Sequence, residues 1–263
     1  IPGKRIDINK FINKNPVQTE APVETPVTHT FADFGFDQRL QDMVASRGFV
    51  KPTPIQDQTI LPGMEGRDVI GLANTGTGKT AAFLLPVIHA TLRDLKRSAL
   101  ILAPTRELAQ QINDELRAFT TREMRIFSTV CVGGTNIRAQ IKRLQRHQHI
   151  IIGTPGRVVD LIKQKALDVS RMQTLVLDEA DRMLDMGFIN DMRFIMGKMP
   201  KEKQTLFFSA TMSKEVSELV HDFLHNPVEV SVVVQQTSAN IAQDVVRIKG
   251  RDKFPVLTDI LSG

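Results

Sequence analysis

A glycine-rich segment carries the first candidate chemistry. The segment ANTGTGKT lies between an apolar run and a stretch with helical spacing. Gly76 and Gly78 allow a tight turn that aims backbone N–H groups at phosphate oxygens, and the following helix adds positive potential. Lys79 can reach β- and γ-phosphates, and the Thr80 hydroxyl can bind Mg²⁺. We therefore predict a phosphate-binding loop formed by Ala73, Asn74, Thr75, Gly76, Thr77, Gly78, Lys79 and Thr80, with Ala73 in place of the usual first glycine.

Three acidic residues follow a second apolar run, in TLVLDEADRML. Asp178, Glu179 and Asp181 would repel one another unless they lie in a solvated loop or beside a cation. Mg²⁺ in proteins is often held by one or two carboxylates together with nucleotide phosphates. Beside a phosphate-binding loop, we predict Asp178 as a Mg²⁺ ligand, partly through water, and Glu179 as the residue that orients or deprotonates the attacking water. Without the ion, we expect water, a stray cation or a carboxylate turned away at this place.

The elements that would position these residues are short apolar runs alternating with helical patterns. Most of the runs are continuously apolar, which is typical of parallel strands covered on both faces. This alternation predicts an α/β fold with a predominantly parallel sheet and helices on both faces, whose ligands bind where strands end. The predicted strands are 68–73, 98–104, 126–132, 149–154, 174–179, 204–211 and 228–234, and the clearest helical segments are 80–95, 106–120 and 215–224.

The composition is ordinary for a soluble globular protein. The 263 residues are 41% hydrophobic and 24% charged, and the net charge of +5 permits an anionic partner without requiring one. No apolar run approaches the roughly 18 residues that cross a membrane. The single cysteine, Cys131, lies in an apolar run and is expected to be buried. We expect a monomeric chain in the reducing cytoplasm.

The residues Asp178 to Asp181 spell DEAD, and the chain from about Phe31 to about Val232 resembles the N-terminal RecA-like domain of DEAD-box ATP-dependent RNA helicases. Eight segments occur in the order typical of that family. The resemblance implies a RecA-like P-loop domain with ATP and Mg²⁺ as cofactors and RNA as partner. It also implies RNA-dependent ATP hydrolysis coupled to local duplex unwinding or remodelling of RNA–protein complexes, with Lys79, Asp178 and Glu179 as catalytic residues.

The segments around Phe49 and PTPIQ resemble the family's adenine-recognition motif, in which Thr53 is included. The Gln56 amide can both donate and accept hydrogen bonds at an adenine edge. Phe49 can stack on the adenine ring. Phe31 matches the isolated aromatic residue that precedes this motif in the family. By itself, PTPIQ predicts only a turn followed by a helix start.

Three further segments resemble the family's RNA-backbone motifs. Arginines at helix N-termini form phosphate sites, and glycines allow a nucleic-acid backbone to approach closely. Without the resemblance, ordinary helix caps and turns explain these residues equally well, and a solvated helix explains the basic run 137–149. RNA rather than DNA is implied by the resemblance alone. The implied RNA-binding residues are Pro104, Thr105, Arg106, Gly133, Gly134, Thr154, Pro155, Gly156 and Arg157.

The segment Ser209-Ala210-Thr211 resembles the family's SAT motif, which couples ATP hydrolysis to strand separation. We predict that Asp181 accepts hydrogen bonds from both hydroxyl groups, in a structural and communicating role. The alternative is a plain strand end before a helix capped by Ser213.

Four segments divide the chain. We predict a flexible N-terminal extension (1–28), the RecA-like domain (29–234), a linker (235–240) and the start of a second RecA-like domain (241–263) with one strand and one helix. In the family, the second domain supplies further RNA contacts and arginine fingers, which are worth about 10³–10⁵ in rate. Because no HRxGR-like segment occurs here, we expect this chain to bind Mg-nucleotide, hydrolyse it weakly and not unwind duplexes. The alternatives are an ATP-gated RNA clamp that needs no turnover, and a DNA helicase or generic P-loop ATPase.

Overall fold

A seven-stranded sheet forms the centre of the molecule. The computed structural model describes residues 26–232 and 252–262. All strand pairs are parallel, and the strand order is β3-β4-β2-β5-β6-β1-β7. The seven strands predicted between residues 68 and 234 are confirmed. The strands are β1 (Val69–Leu72), β2 (Ala99–Leu102), β3 (Ser128–Cys131), β4 (Ile150–Gly153), β5 (Thr174–Leu177), β6 (Gln204–Ser209) and β7 (Val228–Ser231).

Helices cover both faces of the sheet. Along β5, Val176 packs in one buried cluster with Phe83 and Ile112, whereas Leu175 and Leu177 belong to a second cluster on the other face. This alternation explains why the strands are continuously apolar. The helices are α1 (Gln38–Ser46), α2 (Pro54–Met64), α3 (Lys79–Arg93), α4 (Arg106–Ala118), α5 (Ile137–Leu144), α6 (Pro155–Lys163), α7 (Ala180–Asp185), α8 (Ile189–Lys198) and α9 (Lys214–Phe223), with a 3₁₀ turn at Arg122–Met124.

The carboxyl ends of the parallel strands meet at one edge of the sheet. The glycine-rich segment follows β1, the acidic segment follows β5, and Ser209 ends β6, which lies between β5 and β1. The segments that resemble RNA-binding motifs follow β2, β3 and β4 on the other half of the sheet. Strand order thus separates two groups of candidate residues along the same edge.

Cys131 behaves as the sequence predicts. Its side chain is fully buried, and burial raises the pKa of the thiol to about 12. It is therefore a small apolar core residue rather than a nucleophile. Within the part of the chain that the structure describes, no helix has both the length and the apolar character that crossing a membrane requires.

Residues 26–28 and a helix near the C-terminus lie outside the predicted RecA-like domain. Residues 26–28, which we assigned to the extension, are described, and Thr28 donates from its backbone N–H and its hydroxyl to Asp57 Oδ2 at 3.0 and 3.1 Å. The chain is therefore anchored to α2 before residue 29. Helix α10 (Lys253–Ser262), predicted from the sequence, belongs to a second compact unit. Residues 1–25, the linker at 235–240 and the strand predicted at 241–250 lie outside the described residues.

Candidate nucleotide and nucleic-acid site

The phosphate-binding loop has the backbone conformation that its glycines predict. Gly76 and Gly78 have φ angles of +82° and +90°, a left-handed region that favours glycine. Gly78 directly precedes α3, and a Cβ atom at this position would collide with the Gln56 amide. The loop start is tied to β6, because the Ala73 N–H donates to the Ser209 carbonyl at 3.0 Å. The predicted strand–loop–helix arrangement is confirmed.

Lys79 is folded into the loop that precedes it. Its side chain is 6% exposed, and Nζ donates to the Ala73 carbonyl oxygen at 2.8 Å. An ammonium group has three N–H donors, so this bond leaves two for an anion. The loop therefore holds a buried positive charge beside a row of backbone N–H groups, which is a phosphate-binding arrangement.

Gln56 connects the predicted adenine motif to the phosphate-binding loop. Its Oε1 accepts from the Thr53 N–H at 2.9 Å, and its Nε2 donates to the Gly78 carbonyl at 3.0 Å. The side chain is only 4% exposed, but among the described residues the second hydrogen of Nε2 and the second lone pair of Oε1 have no other partner, so an adenine edge could still use them. We did not predict this link, although Thr53-x-x-Gln56 has the spacing of a helix capping box.

Phe31 lies in a buried group of aromatic side chains. Its ring is only 2% exposed and packs edge-on against Phe49, with ring centroids 5.3 Å apart. It also contacts Phe34 at 5.7 Å. Burial in this aromatic group leaves Phe31 little exposed surface and places its ring against Phe49, which is partly exposed. A direct contact of Phe31 with the nucleotide stays a prediction.

Asp178 is a buried carboxylate in an unfavourable environment. It is 3% exposed, and its Oδ1 accepts only from the Glu179 N–H, at 3.0 Å. Burial raises the pKa of Asp178 to about 6; the Lys79 ammonium opposes this rise, and the charges of Glu179 and Asp181 add to it. The repulsion predicted from the sequence is thus present in the structure, and a divalent cation would relieve it.

Glu179 has an unusual backbone and a side-chain partner. Its φ and ψ angles are +50° and +52°, a left-handed conformation that costs a non-glycine residue roughly 1–3 kcal/mol and often occurs at functional sites. Its Oε2 accepts from Arg182 Nη1 at 3.1 Å. This ion pair agrees with the expectation that one carboxylate turns away from the others. The backbone strain has no signal in the sequence.

Asp181 connects the acidic segment to the end of β6. Its Oδ2 accepts from the Thr211 N–H at 2.9 Å, from the Thr211 hydroxyl at 3.0 Å and from the Ala210 N–H at 3.2 Å. The predicted contact with Thr211 is therefore present. The predicted contact with Ser209 is wrong, because this fully buried hydroxyl donates instead to the Thr211 carbonyl at 2.8 Å.

The segments after β2 and β3 meet at Arg106. Thr105 begins α4, where its hydroxyl accepts from the Leu108 N–H at 3.2 Å. Arg106 Nη1 donates to the Gly133 carbonyl at 3.3 Å. The guanidinium lies over Gly134, where φ is +72° and a Cβ atom would collide with Arg106 Nη1. Gly134 therefore lets an exposed arginine lie directly on the backbone.

Arg157 is held more firmly than the sequence indicates. It lies in α6, which begins with Pro155 after Thr154 as predicted, although the Thr154 hydroxyl forms no capping bond. The Arg157 side chain is 13% exposed, and its Nη1 donates to Gln140 Oε1 at 3.0 Å and to the Thr135 carbonyl at 3.4 Å. Gln140, a residue missed in the sequence, thus joins two of the predicted RNA segments.

The carboxylates alone do not form a complete metal centre. Across residues 26–232 and 252–258, no three His, Cys, Asp or Glu side chains are grouped to hold a metal ion. Mg²⁺ commonly retains several waters and takes its other ligands from one or two carboxylates and from phosphates. The single buried carboxylate of Asp178 and the Thr80 hydroxyl fit that incomplete ligand set.

Comparison with known proteins supports the same interpretation. A family model described as DEAD/DEAH box helicase matches residues 53–219. The chain is 43% identical over 236 residues to the ATP-dependent RNA helicase CshA of Listeria monocytogenes, covering 88% of this chain and 45% of that protein. It is 44% identical over 237 residues to the RNA helicase CrhR of Synechocystis, covering 89% and 48%. The chain therefore spans about half the length of the curated relatives it matches.

A solved structure also matches the fold. A DEAD box protein from the hyperthermophile Methanococcus jannaschii superimposes with a TM-score of 0.74 at 33% identity, covering 89% of this chain and 63% of that chain. This likeness confirms the predicted RecA-like α/β fold.

Proposed function

Because this chain belongs to the DEAD/DEAH box helicase family, we propose that it is the ATP-binding motor domain of an ATP-dependent RNA helicase. The observation that supports this most directly is the buried pair of opposite charges at the strand ends. Lys79 lies within the phosphate-binding loop, and its charge interacts with that of Asp178, whose own pKa is raised by burial. A Mg-nucleotide would give each of them a partner of opposite charge: phosphate for Lys79 and Mg²⁺ for Asp178.

The proposed roles follow the geometry of the strand ends. Lys79 and the loop N–H groups bind phosphates, and Asp178 and Thr80 face the Mg²⁺ ion, which neutralises phosphate charge when it is bound. Glu179 orients the attacking water after its carboxylate leaves Arg182. Gln56 and Phe49 contact the adenine, and Asp181 transmits changes at the nucleotide to Thr211.

RNA is proposed to bind along the other half of the same edge. Arg106, with the glycines beneath it, and Arg157 present cations there, at the N-terminal ends of α4 and α6. Contacts of this kind address the phosphate backbone, so we expect little sequence specificity and a strong dependence on salt. Preference for RNA over DNA rests on the names of the similar proteins.

We also propose that residues 29–234 are the RecA-like domain and that 241–263 begin a second such domain after the linker. The active unit would then require both domains, and the chain alone would hydrolyse ATP weakly. The Mg²⁺ requirement, a cytoplasmic location and a monomeric state stay predictions.

The test compares wild type with Glu179→Gln in the protein extended through the proposed second domain. We expect the variant to bind Mg-ATP and RNA with affinity close to wild type but to lose RNA-stimulated hydrolysis. Hydrolysis at the wild-type rate would contradict the role of Glu179. If RNA release and remodelling continue without turnover, the clamp is the correct function.

A further inference from the structure

A groove lies along the free edge of the sheet, at β3. Its volume is about 770 Å³, and Phe127, Ser128 and Thr129 form its floor. Helix α4 forms one wall, and the C-terminal half of α5 with the residues after it forms the other. Ser128 bonds to Asn113 of the first wall at 3.0 Å, and Thr129 bonds to Gln148 of the second at 2.9 Å. We call this feature the β3-edge groove.

Among the described residues, strand β3 carries unpaired backbone groups at Ser128, in the floor of the β3-edge groove, and at Val130, which lies just beyond the residues that line it. Strand β3 is at the end of the strand order and pairs with β4 alone among the described strands. The carbonyls of Phe127 and Cys131 accept from residues at the two ends of β4. Since alternate residues of a strand direct their N–H and C=O groups to opposite sides, those of Ser128 and Val130 face the open edge.

The walls of the β3-edge groove are strongly basic. The described residues that line it include no carboxylate. None of its arginine and lysine side chains forms a salt bridge with another described residue. Phe127, 55% exposed, adds an apolar surface at the floor. The basic lining residues are Arg117, Lys142, Arg143, Arg146 and His147.

We propose that the β3-edge groove binds an extended acidic polypeptide segment, which adds to the sheet as an eighth strand beside β3. The main chain of the segment pairs with Ser128 and Val130, its Asp and Glu side chains meet the cations of the walls, and an apolar side chain packs on Phe127. Four residues of β3 offer about 13 Å of edge at roughly 3.3 Å per residue. The proposal concerns a surface separate from the nucleotide site and does not depend on the proposed function.

Two observations favour a polypeptide over RNA. A sugar–phosphate backbone has no N–H and C=O groups spaced to pair with a strand edge. The neighbouring depression, which lies along α4 beside Arg106, is lined by Glu107, Asp114 and Glu115. These carboxylates would repel a phosphate chain passing along α4 from the predicted RNA residues to the β3-edge groove.

Fluorescence anisotropy with a short labelled peptide of alternating Glu and Val residues tests the proposal. We expect salt-sensitive binding to the wild-type chain, weakened roughly tenfold or more by the double variant Lys142→Glu/Arg146→Glu. Arg122→Glu/Arg138→Glu is the matched control, because it changes the charge equally and both arginines are exposed outside the groove. A peptide N-methylated at every residue keeps its charge but has no N–H group on either edge with which to pair as a strand, and it should not bind.

Amide hydrogen exchange distinguishes the possible occupants. The peptide should slow exchange at Ser128 and Val130, whose N–H groups it would bond. No binding of the peptide at low salt, or equal binding of the N-methylated peptide, would overturn the proposal. A short oligouridine that displaces the peptide, depends on the same cations and leaves both amides unprotected would instead make the groove an RNA surface.

Discussion

The buried carboxylate of Asp178 costs the unliganded domain stability. Burial raises its pKa from 3.8 to about 6, so the folded state binds the proton more tightly than the unfolded state does. The free energy of unfolding is therefore highest below the unfolded pKa and falls as pH rises from about 4 to about 6. At about 1.4 kcal/mol per pKa unit, the cost of ionised Asp178 is about 3 kcal/mol above that range.

Asp178→Asn removes this cost, because the amide stays neutral and its oxygen can still accept from the Glu179 N–H. We expect the variant to be more stable than wild type by up to about 3 kcal/mol at pH 7.5, and by about half as much at pH 5. For a domain of this size, the gain at pH 7.5 corresponds to a rise in Tm of roughly 6–12 °C. The same variant should bind Mg-nucleotide more weakly, since it lacks the carboxylate.

Thermal unfolding of the unliganded chain at both pH values measures the effect. Asp185→Asn is the control, because Asp185 is exposed at the end of α7, the helix that follows Asp178, and the change should leave the Tm nearly unchanged. Wild type should also gain more stability from Mg-nucleotide at pH 7.5 than at pH 5. A destabilised Asp178→Asn, or a gain that does not change with pH, would refute the account of the acidic segment.

Three further predictions test the remaining site residues. Lys79→Ala should abolish binding of a fluorescent nucleotide, whereas Lys96→Ala, at an exposed site, should not; unchanged affinity in the first variant would refute the loop's role. Gly134→Ala should displace Arg106 and weaken RNA binding at least several-fold, whereas Gly133→Ala, where a Cβ atom meets nothing within 4 Å, should have little effect. Equal losses in the two glycine variants would contradict that argument. Arg157→Ala should weaken RNA binding and reduce its salt slope by about one, without altering nucleotide affinity; a change in nucleotide affinity alone would move Arg157 out of the RNA site.

The sheet could be predicted because its strands are buried on both faces. Continuous apolar runs such as ALIL and IIIG leave few other structures for this chain, and parallel strands place all following residues at one edge. The loop at Gly76–Thr80 and the acids after β5 therefore had predictable positions. The residue types indicated the ligands, because glycines and lysine suit phosphate and carboxylates suit Mg²⁺.

Contacts that depend on side-chain packing could not be predicted. The link from Gln56 to Gly78 and the contact of Arg157 with Gln140 each join residues whose relative placement follows from tertiary structure. The ion pair of Glu179 with Arg182 is local, at i,i+3, but depends on the left-handed backbone of Glu179. The burial of Phe31 in an aromatic group was likewise not predicted, since the motif position indicates only a ligand contact and not the packing of the ring. The sequence therefore predicted which ligands each site binds, but not the burial and hydrogen-bond partners of each side chain.

ATP hydrolysis by the protein extended through the proposed second domain, measured with RNA, with DNA and with neither, tests the central claim most directly. We expect RNA to stimulate hydrolysis strongly, DNA to do so weakly or not at all, and the stimulation to fall as salt rises. Equal stimulation by DNA, or a rate that no polymer changes, would contradict that claim.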